Sequence, residues 1–188
     1  MTTQTSANLI GVQSVEPKAG RARRFSMHRA LWLLQVVGGV FFAGSGFGKV
    51  LLADDALYAA APQAVAWYAD VSQPLIVLIG VVEVLGGIGM ILPAMTRVAP
   101  RLTPLASAGL ALTMVFASAF HLVRGEYELM PATVVLGAVT GFVAVGRWRR
   151  RPIASAALTR SGAIKALAVM AAMILLVFAP TWVSMMRF

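Results

Sequence analysis

Five long apolar runs constrain this chain more than any other feature. Only a helix or a closed barrel satisfies every backbone N–H and C=O inside hydrocarbon, and a spanning helix needs about 20 mostly apolar residues. The runs are Leu31 to Ala53, Pro74 to Pro93, Leu105 to Val123, Pro131 to about Gly146, and Ala166 to about Met186. Any one of them would serve as a buried helix in a soluble domain. Five within 188 residues, at 59% hydrophobic and 12% charged, leave too little polar surface for a soluble fold. The expectation is an all-α polytopic membrane protein. Short loops join the second run to the third, with Pro100 and Pro104, and the third to the fourth, Arg124 to Met130. Such loops make antiparallel neighbours in a bundle.

The charges between the runs predict an orientation. Lys18, Arg21, Arg23, Arg24 and Arg29 precede the first run. Arg97 and Arg101 separate the second and third, and Arg147, Arg149, Arg150, Arg151, Arg160 and Lys165 separate the fourth and fifth. All three segments fall on one side, which the positive-inside rule assigns to the cytoplasm. The other side receives Asp54, Asp55, Asp70, Glu126 and Glu128, with Arg124 and Arg187 its basic residues. The N-terminus is expected inside and the C-terminus outside. The net charge of +9 would suggest nucleic acid in a soluble protein; here the basic residues set topology, and no nucleic-acid partner is expected. The chain divides into a disordered basic tail (1–29), a transmembrane domain (30–150), a basic loop (151–165) and a further helix (166–188). Residues 54–73 carry Tyr58, Trp67 and Tyr68, which suit a headgroup region, as an interfacial helix or as an anchored loop.

Glu83 sits alone among apolar residues in the middle of the second run. A carboxylate there costs about 2.5–3.5 kcal/mol on insertion scales, so it must be paired, protonated or turned to a polar cavity. Two groups are candidates to meet it. Lys49 is about four residues from the outer end of its run, roughly 6 Å deep, and Glu83 about nine, roughly 14 Å. The difference of about 8 Å is near the reach of two extended side chains. His121 lies near the outer end of the third run, with Arg124 and Glu126 following. Lys49 could equally snorkel to the interface, His121 could be an ordinary interfacial residue, and a protonated Glu83 could simply tie helices together. Together the three suggest a polar pocket in the outer half that could relay a proton or hold a ligand.

Other chemistries find little support. With no cysteine there is no thiol–disulfide chemistry, iron–sulfur cluster or thiolate metal site. The two histidines, His28 and His121, fall on opposite sides, so no metal site is expected. Gly44-Ser-Gly-Phe-Gly-Lys49 has a superficial likeness to a phosphate loop but ends a membrane helix, and Ser45 has no base partner beyond His121.

Several short pieces, in order, also resemble the DoxX family of small bacterial membrane proteins, especially its DoxX-like branch. They are Ser45-Gly46-x-x-Lys49, Gly80-x-x-Glu83-x-x-Gly86 followed by Pro93, Met114 to His121, Gly125-Glu126 with Pro131, and Gly146-Arg147. The likeness covers about residues 29–150. It implies a four-helix bundle in the bacterial inner membrane, to which this chain adds a fifth helix. It also implies a link to redox processes, with a quinone or sulfur-linked substrate and a membrane or periplasmic oxidoreductase as partner. On that reading Lys49, Glu83 and His121 form a quinone or substrate pocket with a proton relay. A small proton-coupled carrier and a non-catalytic scaffold remain open alternatives, because either could use the same buried carboxylate.

Overall fold

The computed structural model describes residues 19–51, 63–157, 159–169 and 171–172. Helix α1 spans Ala19–Leu51, α2 Gln73–Thr96, α3 Leu102–Arg124 and α4 Met130–Val145. A 3-10 helix, Gln63–Asp70, precedes α2, and a π-helical turn, Gly146–Arg150, extends α4. No strand occurs among the described residues.

Four segments are long and apolar enough to cross a bilayer: Met27–Leu51, Gln73–Thr96, Leu102–Arg124 and Met130–Arg150. The fifth expected span lies mostly outside the described residues. In its first described turn Ala166 is buried and Val169 meets the core, while Leu167 is exposed. Two boundaries differ from expectation. Helix α1 reaches back to Ala19, into the expected tail, through Ala and Arg residues that favour helix. Helix α2 runs through Pro93 to Thr96 instead of ending at the proline. Pro93 removes one backbone donor, a loss membrane helices tolerate where neighbouring groups compensate.

Side-chain pairings show that successive helices are antiparallel. Gly39 faces Ile91 and Gly46 faces Glu83 between α1 and α2; Gly86 faces Leu110 and Gly89 faces Ala106 between α2 and α3. Gly137 faces Met114 between α4 and α3, and Gly146 faces Leu31 where α4 returns to α1. The result is a closed up-and-down bundle. One end, the basic end, gathers residues near 28, 97 and 147; the other, the acidic end, gathers residues near 49, 70 and 126. The core consists of Phe42, Ala43, Met90, Ile91, Leu110, Met114 and Val143. Leu33, Phe41, Leu78, Leu85, Val115 and Phe116 point outward, where lipid rather than water suits them.

Lipid tails are as apolar as leucine, so close packing and hydrogen bonds must hold the helices together. Buried hydroxyls are largely satisfied within their own helices: Ser107 donates to the Thr103 carbonyl and Thr140 to that of Leu136, both at 2.8 Å. Ser118 also meets the Thr133 hydroxyl across α3 and α4 at 2.7 Å.

Candidate functional site

Helices α1 and α2 touch backbone to backbone along a seam of glycines. A Cβ on Gly46 would collide with the Gly80 carbonyl oxygen and lie 2.7 Å from Glu83 Cβ. A Cβ on Gly87 would collide with the Gly39 carbonyl oxygen and lie 2.7 Å from the Ala43 nitrogen. Any side chain at these positions would push the helices apart, which is why small residues line such crossings.

The seam closes the gap in depth between Lys49 and Glu83. Lys49 Nζ lies 2.7 Å from Glu83 Oε2 and donates to Ser45 Oγ at 2.8 Å. Lys49 is 8% and Glu83 4% exposed, so the pair is shut away from bulk solvent. Ser45 stands one turn before Lys49 on α1, the spacing that lets a hydroxyl meet the side chain four residues on. Two of the three ammonium donors are thereby used. One donor of Lys49 and one oxygen of Glu83 have no partner among the described residues.

His121 joins a different group. Its Nδ1 lies 2.6 Å from Glu126 Oε2, and neither Lys49 nor Glu83 is its hydrogen-bond partner. The cause is local. Gly125 adopts φ +74°, a left-handed conformation that glycine enters without a Cβ penalty. It ends α3 in a Schellman turn: Gly125 N–H donates to the Leu122 carbonyl at 3.1 Å and Glu126 N–H to the His121 carbonyl at 2.9 Å. That reversal folds Glu126 back over the last turn and onto the imidazole. Arg124 Nε holds the other Glu126 oxygen at 2.8 Å, and a second Arg124 nitrogen reaches Asp70 of the 3-10 helix at 2.7 Å. The hydrogen bond to His121 holds the Glu126 carboxyl below the usual carboxylate range, opposed by burial and helped by Arg124. The Trp67 ring packs on Phe120 and His121, with centroids 6.0 and 6.2 Å apart. The 3-10 helix is thus strapped across the acidic end of α3. The three groups expected to cluster form two separate polar centres, one between helices and one at the mouth.

A third buried polar group was not foreseen. Gln35 is fully buried, and its amide donates to the Met90 carbonyl at 2.5 Å. Its Oε1 accepts from Arg147 Nε at 2.8 Å, and the guanidinium lies 5.1 Å from the centre of the Trp32 ring. In the sequence Arg147 counts among the basic residues that set topology and closes the family-like Gly146-Arg147 piece. The available signal was Gln35, an uncharged polar residue within an apolar run.

No group of three or more His, Cys, Asp or Glu side chains among the described residues is placed to hold a metal. A groove of about 360 Å³ between α2 and α3, lined by Val82, Leu85, Gly86, Gly89 and Leu105 among others, is apolar and contains none of the three expected site residues.

Among comparisons with known proteins, the model of the DoxX-like family matches residues 33–143. No curated protein and no solved structure matches the chain.

Proposed function

Because the chain belongs to the DoxX-like family, we propose that it is a multi-pass membrane subunit supporting a redox system, in which Lys49 and Glu83 hold the head of a quinone. The observation that carries this reading is the buried ion pair with, among the described residues, one donor and one acceptor left over. That combination suits a ligand bearing an oxygen that accepts a hydrogen bond and, once reduced, donates one. A quinone bound there supplies the two-electron couple, with the electrons exchanged by a membrane or periplasmic oxidoreductase. Lys49 would direct its remaining donor at the ligand oxygen, and Glu83 would accept or return one of the two protons that accompany the two electrons, the other being exchanged with water at the mouth. His121 and Glu126, at the acidic mouth, are the next proton-holding groups toward that surface. In this reading the basic end faces the cytoplasm of a bacterial inner membrane, as the positive-inside rule expects.

The test is purification from the native membrane in mild detergent, followed by lipid mass spectrometry. The expected result is near-stoichiometric quinone in the wild type and its loss from folded Glu83→Gln. A folded wild type carrying only bulk phospholipid refutes the reading.

One observation favours a second reading, a scaffold without chemistry. At the level of Glu83 the glycine seam brings the backbones of α1 and α2 into contact, so any ligand must approach the pair from outside that interface. If the pair only fixes the register of the two helices, Lys49→Met combined with Glu83→Leu retains the protein's association with its partners.

A further inference from the structure

Arg147 is 2% exposed, yet Nη1 and Nη2 have no hydrogen-bond partner among the described residues. Only Nε is used, on Gln35. Four N–H donors of a charged group are therefore buried without acceptors. Burying a charge is tolerable only when it is paired and hydrogen-bonded. The chain offers little to pair it with. Of its seven acidic residues, Asp70 and Glu126 are tied together through Arg124 at the opposite end, and Glu83 is bound to Lys49. Asp54, Asp55 and Glu128 belong in sequence to that opposite end, and Glu16 lies outside the described residues.

The surroundings hold the guanidinium in one plane. Gln35 is itself anchored to the Met90 carbonyl, and Trp32 lies across the guanidinium. Gly146 lets the chain pass against Leu31, where a Cβ would lie 2.5 Å from Leu31 Cδ2. Arg147 lies in the π-helical turn Gly146–Arg150, a kind of turn common at functional sites. Arg151 and His28 lie within electrostatic reach of each other and of this position. Arg147 is three residues inside the end of its span, about 5 Å at the helical rise, and so near the end of the bundle where headgroups would lie.

We propose that Arg147, held by Gln35 and Trp32 and flanked by Arg151 and His28, forms a binding site for a phosphoryl group at the basic end of the bundle. The planar fork of the guanidinium matches two phosphoryl oxygens, which satisfy Nη1 and Nη2 and supply the missing countercharge. The phosphoryl group is the phosphate of an anionic lipid headgroup or inorganic phosphate. It enters past Trp32 and the exposed His28. This site is distinct from the Lys49–Glu83 pair and does not depend on the redox reading.

The test uses the full-length protein, delipidated in detergent, with thermal unfolding and native mass spectrometry as readouts. The probes are phosphatidylglycerol, a diacylglycerol with the same chains, and inorganic phosphate. Wild type is expected to be stabilised by phosphatidylglycerol and not by diacylglycerol; stabilisation by inorganic phosphate alone would identify the soluble anion as the ligand. Loss of hydrogen bonds to a charged group corresponds to about tenfold or more in affinity, and Arg147→Leu is expected to show it. Arg149→Gln, which removes an exposed arginine from the same turn, is expected to leave the response unchanged. If Arg147→Leu does not fold, Arg147→Lys keeps the charge, loses the fork and is expected to bind several-fold more weakly. Equal wild-type response to both lipids with none to phosphate overturns the site. So does an Arg149→Gln loss as large as that of Arg147→Leu, or undiminished binding by Arg147→Lys.

Discussion

Replacing Glu83 by Leu should leave the Lys49 ammonium with one neutral partner, Ser45 Oγ at 2.8 Å. Replacing Lys49 by Met should leave the Glu83 carboxylate without its contact at 2.7 Å. In either variant an uncompensated charge sits in a space that is less than a tenth exposed. Breaking one side of such a pair costs about 3–5 kcal/mol, whereas replacing both sides by well-packed apolar residues is near neutral or stabilising. The two singles together should therefore cost far more than the double variant, with a coupling energy of about 6 kcal/mol or more by the same figures. That number separates two descriptions of the contact. An uncharged hydrogen bond between membrane helices averages only about 0.6 kcal/mol in double-mutant cycles, because helices separated in a membrane find other partners. The assay is reversible unfolding in mixed micelles with increasing sodium dodecyl sulfate, followed by tryptophan fluorescence, on all four members of the cycle. A coupling at or below about 0.6 kcal/mol would refute a desolvated, charged pair across the glycine seam.

Other substitutions test the packing and the acidic mouth. Gly87→Ala should cost about 1–3 kcal/mol by overpacking, whereas Gly48→Ala, with nothing within 4 Å of the added carbon, should be neutral or stabilise by up to about 1 kcal/mol; the same unfolding assay compares them. Gly125→Ala should cost about 1–2 kcal/mol from left-handed backbone strain, with Gly125→Asn milder, measured as a change in unfolding midpoint. The hydrogen bond from His121 holds the Glu126 carboxyl below its ordinary value, so its contribution to stability is fully present above the unfolded value and is lost as pH falls through the lower folded value. Melting temperature measured from pH 7 to pH 3 should therefore fall less steeply on the acid side in Glu126→Gln, and identical acid limbs would show that the His121–Glu126 bond does not form in solution.

Much of the membrane architecture was legible because it depends on local composition. The apolar runs placed the four membrane-spanning segments to within a few residues; the departures are α1, which begins at Ala19 in the expected tail, and α2, which continues through a proline that a buried membrane helix can absorb. The Lys49–Glu83 pair was also within reach, since helical rise converts sequence position into depth and depth limits which charges can meet. Depth alone left the hydrogen-bond partner of His121 open. Its similar level suggested a shared pocket, but depth says nothing about rotation around a helix, and the Gly125 turn supplied a nearer partner in Glu126.

By itself the sequence determined where hydrocarbon must be crossed and which end of each helix carries positive charge, because transfer free energy and charge are summed residue by residue. Only the tertiary structure decided which polar groups share a site. Gln35 and Arg147 are 112 positions apart, and their contact exists because α4 returns beside α1. Gly46 and Gly80 belong to separate short motifs, and only the crossing of the helices brings their backbones together. Burial and hydrogen bonding belong to a three-dimensional neighbourhood, and the order of residues along the chain constrains that neighbourhood without specifying it.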